Sequence, residues 1–308
     1  MKPSRKNPAL SRCLVENLES RRLFASISPV FVDFFTGLRT VNVSGDGANE
    51  SWTINHNGNG RVAISGPVSA TRSNVQQLNV RTNGGIDTVK YNLTGNNVAG
   101  FNLDIDTGDD NGFNIVGEDD KVTLNLNGNI NRSLKINVQT RDFNDRITVN
   151  ADRDNAANGV RIASGRTLDL SLQAGDRDDI IDLSYQGDMD GKLKIAAGGD
   201  GGGGLFNGND IIKAKVIMDA GSGHLSTGQG GLGTFNMKLE GNGGTDTFSA
   251  LVGDHSGGNV HFDQSLVTSG AFLGSTLFPP ADKVTHTANV DVQGFQPDDA
   301  HDTTVAAP

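Results

Sequence analysis

The sequence predicts an all-β protein, a parallel β-solenoid of about seven repeats of about 33 residues each. Three observations lead to this fold class. Turn-forming residues are in excess, strand-like segments alternate apolar and polar residues, and a constant spacing separates the two strands of each unit. An antiparallel β-sandwich or an array of hairpins is the alternative that these observations leave open.

The composition favours turns over helices. The chain of 308 residues contains 41 Gly, 31 Asp and 31 Asn, which together form one third of it. These residues favour turns, whereas Glu, which favours helices, occurs only 5 times. The glycines have no three-residue period and there are only 8 Pro, so a collagen-like chain is excluded. No run of eighteen apolar residues exists, and we predict no membrane span.

Each repeat reads as two alternating strands joined by a turn that ends in an acidic residue. In the clearest unit, apolar residues alternate from Leu134 to Val138, a turn follows from Gln139 to Asp145, and alternation resumes at Ile147. A period of two places one face of each strand in a core and the other in solvent. A third, weaker apolar segment follows, for example at Ile130 or Ile162.

The spacing across the turn is the strongest signal of repetition. It is measured from the last inward apolar residue of the first strand to the first of the second. It is 9 residues in five units: Val43 to Trp52, Val80 to Val89, Val138 to Ile147, Leu172 to Ile181 and Leu239 to Phe248. It is 17 residues in two units, Ile105 to Val122 and Ile195 to Ile212, which indicates an insertion of 8 residues in each. A hairpin loop of two to five residues is shorter than these turns, which favours a solenoid corner.

An acidic residue recurs two positions before the second strand's first apolar residue. It is Glu50, Asp87, Asp120, Asp145, Asp179, Asp210 and Asp246. The intervals are 37, 33, 25, 34, 31 and 36 residues, close to the length of one coil of a solenoid.

The N-terminal segment 1–25 differs from the rest in charge. It carries six basic and two acidic residues, whereas the remainder carries 20 basic and 34 acidic ones. Leu18-Glu19-Ser20-Arg21 followed by Leu23-Phe24-Ala25 resembles the LEPR-xLL-type leader of many large surface and secreted proteins of planctomycete bacteria. Ser20 stands where Pro is commoner. The resemblance implies export, and an extracellular or cell-surface location. A short amphipathic helix docked on the body is the alternative.

The organisation that follows is a leader at 1–25, a β-repeat domain at 26–250, a C-terminal β cap at 251–295 and a disordered tail at 296–308. The cap assignment depends on apolar residues such as Phe262 and Phe272, which depart from the repeat. A cap would cover strand edges that an open solenoid exposes.

The aspartates are the candidate metal ligands. Carboxylates at turns beside freed backbone carbonyls are the ligands that Ca²⁺ prefers. The candidates are Asp104, Asp106, Asp109, Asp110, Asp119, Asp120, Asp145, Asp176, Asp178, Asp179 and Asp210. The repeats at roughly 40–250 also resemble Asp-turn repeats of the same planctomycete proteins and, distantly, calcium-binding nonapeptides of RTX proteins, most closely at Asn207 to Ile212. The alternative is that Asp merely caps the turns.

The predicted function is that of an exported, non-catalytic structural or adhesive surface protein, ordered by calcium at Asp-rich turns. Expected partners are envelope polysaccharide or other surface proteins. The acidic body argues against nucleic acid. The alternative is a polysaccharide lyase or hydrolase on a β-helix, with paired acids for catalysis. Sugar sites usually carry stacking aromatic residues, but the chain has only 1 Trp and 2 Tyr, and Trp52 and Tyr91 occupy inward strand positions.

Overall fold

The computed structural model describes residues 25–108, 119–151, 159–199 and 208–218, and several strands between 234 and 305 chiefly by their backbone. These residues contain no helix, and none of them forms an apolar helix long enough to span a membrane. The strands are β1 (Ser26–Ile27), β2 (Phe31–Val32), β3 (Arg39–Ser44), β4 (Ser51–His56), β5 (Val62–Ser65), β6 (Ala70–Arg72), β7 (Gln77–Arg81), β8 (Thr88–Leu93), β9 (Phe101–Asp106), β10 (Lys121–Leu126), β11 (Leu134–Gln139), β12 (Arg146–Ala151), β13 (Thr167–Gln173), β14 (Ile180–Gly187), β15 (Lys192–Gly198), β16 (Ile211–Met218), β17 (Thr234–Glu240), β18 (Thr247–Asp254), β19 (Val260–Val267), β20 (Lys283–Thr287), β21 (Val290–Gln293) and β22 (Asp302–Val305).

Two stacked sheets form the solenoid. The first sheet has the order β1-β3-β7-β9-β11-β13-β15-β17-β19-β21, and the second has the order β22-β20-β18-β16-β14-β12-β10-β8-β4-β5-β6. From β3 and β4 onward the neighbours in each sheet are parallel and come from successive coils. The predicted parallel solenoid is therefore confirmed, and the antiparallel alternative does not hold for the repeats.

Antiparallel strands occur at the N-terminal edge of both sheets. β1 and β2 pair antiparallel with β3, and β5 and β6 extend the second sheet antiparallel from β4. A third line of pairing runs beside the two sheets. It consists of isolated parallel β-bridges that join Asn97 to Ile130, Ile130 to Ile162 and Ile162 to Met189. This line is the weak third segment that the sequence indicates.

The core lies between the inward faces of the two sheets. Alternate residues of the strands from β3 to β15 are buried, except in β6 at the sheet edge, and the core column of the first sheet includes Val43, Val80, Ile105 and Val138 in consecutive coils. Because the strands are in register, residues of one type stack at about 4.8 Å along the sheet. The same stacking applies to the polar residues at the corners.

The register corrects one of the predicted spacings. Leu172 pairs with Ala197, whereas Ile195 pairs with Leu170, so Ala197 is the last inward residue of β15. The spacing to Ile212 is therefore 15 residues rather than 17, and this corner carries 6 extra residues rather than 8. The sequence does not reveal Ala197 as inward, because a small side chain is a weak signal of a buried position.

Strands continue beyond the predicted repeat domain. β18 to β21 extend both sheets with parallel pairing between residues 247 and 293, and β22, which lies within 296–308, pairs in parallel with β20. Residues 1–24, which carry the predicted leader, lie outside the described residues.

Candidate functional site: a ladder of buried carboxyl groups

Six recurring acids stack on one another at the corner that joins the first sheet to the second. We call them the inner acids: Glu50, Asp87, Asp120, Asp145, Asp179 and Asp210. All six are at most 6% exposed. They span five turns of the solenoid, and the seventh predicted acid, Asp246, lies outside the described residues.

Each inner aspartate accepts a hydrogen bond from the backbone of the coil before it. The amide of Glu50 donates to Oδ1 of Asp87 at 2.8 Å, and that of Asp87 donates to Oδ1 of Asp120 at 2.7 Å. The pattern continues from Asp120 to Asp145 at 2.7 Å, from Asp145 to Asp179 at 2.7 Å and from Asp179 to Asp210 at 3.0 Å. Five consecutive bonds of one geometry form an unbroken ladder along the corner.

The carbonyl groups of the same residues are also bonded. The amide of Lys121 donates to the carbonyl of Asp87 at 2.8 Å, and that of Arg146 donates to the carbonyl of Asp120 at 2.9 Å. A buried backbone group without a partner is costly. The residue just before a strand of the second sheet has no sheet partner for its amide, and the aspartate of the next coil supplies that partner. This explains why the acid recurs at one fixed position.

Glu50 stands at the N-terminal end of the ladder and bonds differently. Its Oε1 accepts from the amide of Asp46 at 3.0 Å, and its Oε2 accepts from the indole nitrogen of Trp52 at 2.8 Å. The longer side chain of Glu50 thus accepts hydrogen bonds from donors of its own coil. Burial raises the pKa of Glu50.

A second column of residues runs beside the ladder, and its hydrogen bonds point in the opposite direction along the solenoid. It contains the residues that precede the inner acids, and we call it the outer column: Asn49, Ile86, Asp119, Asn144, Asp178 and Asn209. Here the later coil donates to the earlier one. The amide of Ile86 donates to Asn49 Oδ1 at 2.9 Å, and the amide of Asn209 donates to Asp178 Oδ1 at 2.7 Å.

Buried threonines line the start of the same corners. The hydroxyl of Thr82 donates to the carbonyl of Thr107 at 2.7 Å, that of Thr107 to the carbonyl of Thr140 at 3.3 Å, and that of Thr140 to the carbonyl of Ala174 at 2.6 Å. Thr82 and Thr140 also interact with the carboxyl groups of Asp87 and Asp145. The threonines, Glu50 and Asp87 are absent from the predicted site. The recurring acid position includes Glu50 and Asp87 as well as Asp145, and it is the sequence signal that points to them.

The predicted metal ligands do not lie together. Asp120, Asp145, Asp179 and Asp210 belong to the ladder, and Asp119 and Asp178 belong to the outer column with exposed side chains. Asp104 is half-buried on the outward face of β9, and Asp176 lies at the corner between β13 and β14. Asp109 and Asp110 lie outside the described residues.

Asp106 is held by an ion pair. Its two carboxylate oxygens accept from Nε and Nη2 of Arg141, both at 2.7 Å, in the paired geometry that favours arginine. Within the described part of the chain, no three His, Cys, Asp or Glu side chains converge in a way that would hold a metal ion.

A polar groove of about 340 Å³ lies beside this ion pair. Its lining residues are Gln139, Arg141, Asp142, Gln173, Gly175, Asp176 and Gly199. The Trp and both Tyr residues of the chain are elsewhere, since Trp52, Tyr91 and Tyr185 are at most 1% exposed in the core. The predicted core positions of Trp52 and Tyr91 are confirmed.

No family model matches the chain, and neither a curated protein nor a solved structure is significantly similar to it.

Proposed function

We propose that the protein is an exported, non-catalytic structural or adhesive component of the cell surface. The observation that carries the proposal is the ladder of inner acids. Its members are the most regular chemical feature of the sequence, and each inner aspartate accepts a backbone hydrogen bond from the preceding coil. Carboxyl groups stacked at successive corners brace a scaffold, whereas a hydrolase or lyase needs two or three of them converging on a substrate.

The buried positions of the Trp and Tyr side chains support the same proposal. A polysaccharide-active enzyme commonly holds its substrate against exposed aromatic rings, and the Trp and Tyr side chains of this chain are buried. Arg141, which lines the polar groove, is held in an ion pair with Asp106. The solvent-facing surfaces of the strands, rich in Asn, Thr, Lys and Asp, are the ones we propose for contact with envelope polysaccharide or other surface proteins.

Location on the cell and activity on polysaccharides together test the proposal. Antibody labelling and protease shaving of intact producing cells should detect the full chain at the surface. Incubation with a panel of acidic and neutral polysaccharides should release neither reducing ends nor unsaturated products. Retention in the cytosol, or turnover of any of these polysaccharides, would contradict the proposal.

A calcium titration distinguishes two forms of this proposal, one in which the ladder alone stabilises the corners and one in which bound calcium orders them. If the ladder braces the corners by itself, millimolar Ca²⁺ added after chelation leaves the melting temperature unchanged. If calcium orders the Asp-rich turns, as the sequence predicts, a cation that binds only the folded state raises the melting temperature with its concentration. Thermal unfolding followed by circular dichroism, with Mg²⁺ as the control ion, distinguishes the two.

A further inference from the structure

The hairpin formed by β2 and β3 carries an exposed apolar patch. Phe31 and Val32 form β2, and Phe34 and Phe35 occupy the turn that follows it. Their side chains are 54%, 61%, 92% and 93% exposed. Of the seven large apolar side chains that are exposed in the described part of the chain, these four fall within five consecutive positions. We call them the N-terminal apolar patch. Single apolar residues on a surface need no explanation, whereas a contiguous group marks a site of interaction.

The turn holds the two outermost rings in solvent with its own hydrogen bonds. Oδ1 of Asp33 accepts from the amides of Phe35 and Thr36 at 3.0 and 2.6 Å, and from the hydroxyl of Thr36 at 2.8 Å. The rings of Phe34 and Phe35 meet edge to face, with 5.5 Å between their centroids. None of these hydrogen bonds needs a phenylalanine side chain, and polar residues are the usual choice in turns. The rings are therefore available to a partner, and the ordered turn lowers the entropic cost of binding one.

The patch lies at the end of the solenoid where both sheets have an open edge. Among the described strands, β1 and β2 border only β3, and β6 borders only β5. Nε of Arg72 in β6 donates to the carbonyl of Ser28 at 2.9 Å, which joins the two edges. Backbone groups on the outer side of an edge strand have no sheet partner, and a second polypeptide can supply one. The apolar rings and the open edges thus occur at the same end.

The charge of this end allows a second copy of the chain to approach it. Residues 26–81 carry four basic and three acidic residues, whereas residues 82–308 carry 16 basic and 31 acidic ones. Two molecules that meet through their first coils therefore keep their acidic parts away from each other. Asp33 and Arg39 are both exposed on the hairpin, and Arg39 has no ion-pair partner in the described part of the chain. A two-fold axis can bring Asp33 of one copy to Arg39 of the other.

The area of the patch is sufficient for a contact between two copies. A buried aromatic side chain contributes about 150–250 Å², so the three partly or fully exposed rings and Val32 offer about 500 Å² per copy. Two copies would bury about 1,000 Å² in all, before the flanking residues are counted, and a specific interface needs about that area.

A lipid surface fits the patch less well than a second copy does. Hydrogen bonds from the backbone and the hydroxyl of Thr36 lower the pKa of Asp33, so a charged carboxylate stands between Val32 and Phe34. Transfer of that charge into hydrocarbon is costly. Lipid chains also offer no hydrogen bonds to the open edges of the sheets.

We propose that the protein forms a two-fold symmetric dimer through the N-terminal apolar patch. Phe34 and Phe35 of each copy pack against the same residues of the other, and the two solenoids meet by their first coils. Because the patch is its own partner, the contact closes at two copies and does not grow into a filament. The dimer does not depend on where the protein is located.

Sedimentation velocity of the full-length chain over a range of concentrations tests the proposal. The wild type should sediment as a dimer at high concentration and dissociate on dilution. Phe34→Ser/Phe35→Ser should weaken the dimer at least about thirtyfold, because aromatic residues at the centre of a contact dominate its affinity. Val98→Ser is the matched control, since it replaces an exposed valine between β8 and β9, outside the patch. It should leave the dimer unchanged.

Arg39→Glu is a second variant, which keeps the proposal testable if the double variant fails to fold. It sets like charges opposite each other and should also weaken the dimer. A wild type that is monomeric at every concentration would overturn the proposal. So would a dimer that neither variant weakens, a dimer that Val98→Ser weakens equally, or a mass that grows with concentration beyond two copies.

Two further measurements on a monomeric wild type would assign the patch to another occupant. Co-sedimentation with vesicles of phosphatidylglycerol and phosphatidylethanolamine, lost in Phe34→Ser/Phe35→Ser, would indicate a lipid surface. A lower melting temperature in the double variant would indicate that residues 1–24 of the same chain cover the rings, since replacing exposed side chains has little effect on stability. Either result would overturn the dimer.

Discussion

The backbone amide of Asp120 donates to Oδ1 of Asp145 at 2.7 Å, although 25 residues separate them in sequence. The same bond joins each of the other neighbouring inner acids. A side chain of one coil therefore completes the backbone hydrogen bonding of the previous coil at the point where the sheet ends. This gives each corner a fixed acid position whatever the length of the rest of the coil.

Removing one acceptor from the ladder should destabilise the fold. Asp145→Ala leaves the buried amide of Asp120 without a partner, which costs about 1–3 kcal/mol of unfolding free energy. Asp145→Asn keeps an acceptor oxygen and should cost less. The control Asp119→Ala, at an exposed outer-column position, should stay within about 0.5 kcal/mol of the wild type. Equal losses in Asp145→Ala and Asp119→Ala, measured by urea unfolding, would contradict a structural role for the ladder.

Gly175 should tolerate no side chain. Its φ of +110° favours glycine, and a Cβ atom there would collide with the backbone carbonyl of Arg141. That carbonyl accepts a hydrogen bond from the amide of Asp176 at 2.6 Å, so the two coils cannot separate without breaking it.

Gly165 supplies the matched control, because its φ is +69° and nothing lies within 4 Å of the Cβ position. Gly165→Ala should cost about 1 kcal/mol from backbone strain alone. Gly175→Ala should cost about 2–4 kcal/mol, since overpacking is added to the strain. Thermal unfolding checks the order, and a smaller loss in Gly175→Ala than in Gly165→Ala would show that the corner is looser than described.

The outward face of the second sheet carries an asparagine ladder. Asn92 donates to Asn55 at 2.8 Å, Asn125 to Asn92 at 2.8 Å and Asn150 to Asn125 at 2.9 Å. Asn125→Ala removes two of these bonds and should cost about 1–2 kcal/mol. Asn102→Ala, at an exposed position of β9, should change the unfolding free energy by less than about 0.5 kcal/mol. Indistinguishable urea midpoints for the two variants would mean that the side-chain ladder adds nothing.

His56 should stay neutral well into the acidic range. It is fully buried, its Nδ1 lies 2.7 Å from the hydroxyl of Tyr91, and its ring centroid lies 4.1 Å from that of Phe101. Burial lowers its pKa from 6.5 to about 4. A lowered folded-state pKa gives stability that is present above 6.5 and is lost as pH falls through about 4.

The double variant His56→Leu/Tyr91→Phe removes the titrating ring and its hydroxyl partner together. It should lose less stability than the wild type between pH 6.5 and pH 4, as followed by urea unfolding. Proton NMR of the imidazole in the wild type offers a direct check. A His56 resonance that titrates near 6.5 would refute the buried, neutral state.

The sequence identified the repeat because backbone geometry imposes it. An inward residue such as Val138 and its counterpart Ile147 must be separated by a constant distance wherever the same corner recurs, and large apolar residues make that spacing visible. Ala197 shows the limit of this signal, because a small inward residue does not stand out and the register moves by two positions without it.

The role of the acidic residues at the corners is harder to predict from the sequence than the repeat itself. A recurring acid such as Asp145 has the same sequence signature whether it binds a cation, caps a turn or bonds to another coil. The distinction depends on the stacking of residues that are 25 to 37 positions apart. The pairing of Asp106 with Arg141 was missed for the same reason, since only the coil register brings them together.

Native-state hydrogen exchange, resolved at each backbone amide, tests most directly whether the inner acids brace the coils. The account predicts that the amides of Asp87, Asp120 and Asp145 are as strongly protected as those of the adjoining strands. It further predicts that Asp145→Ala removes the protection of Asp120 but leaves that of Asp87 in place. Exchange of these amides in the wild type at the rate of exposed loops would contradict the account.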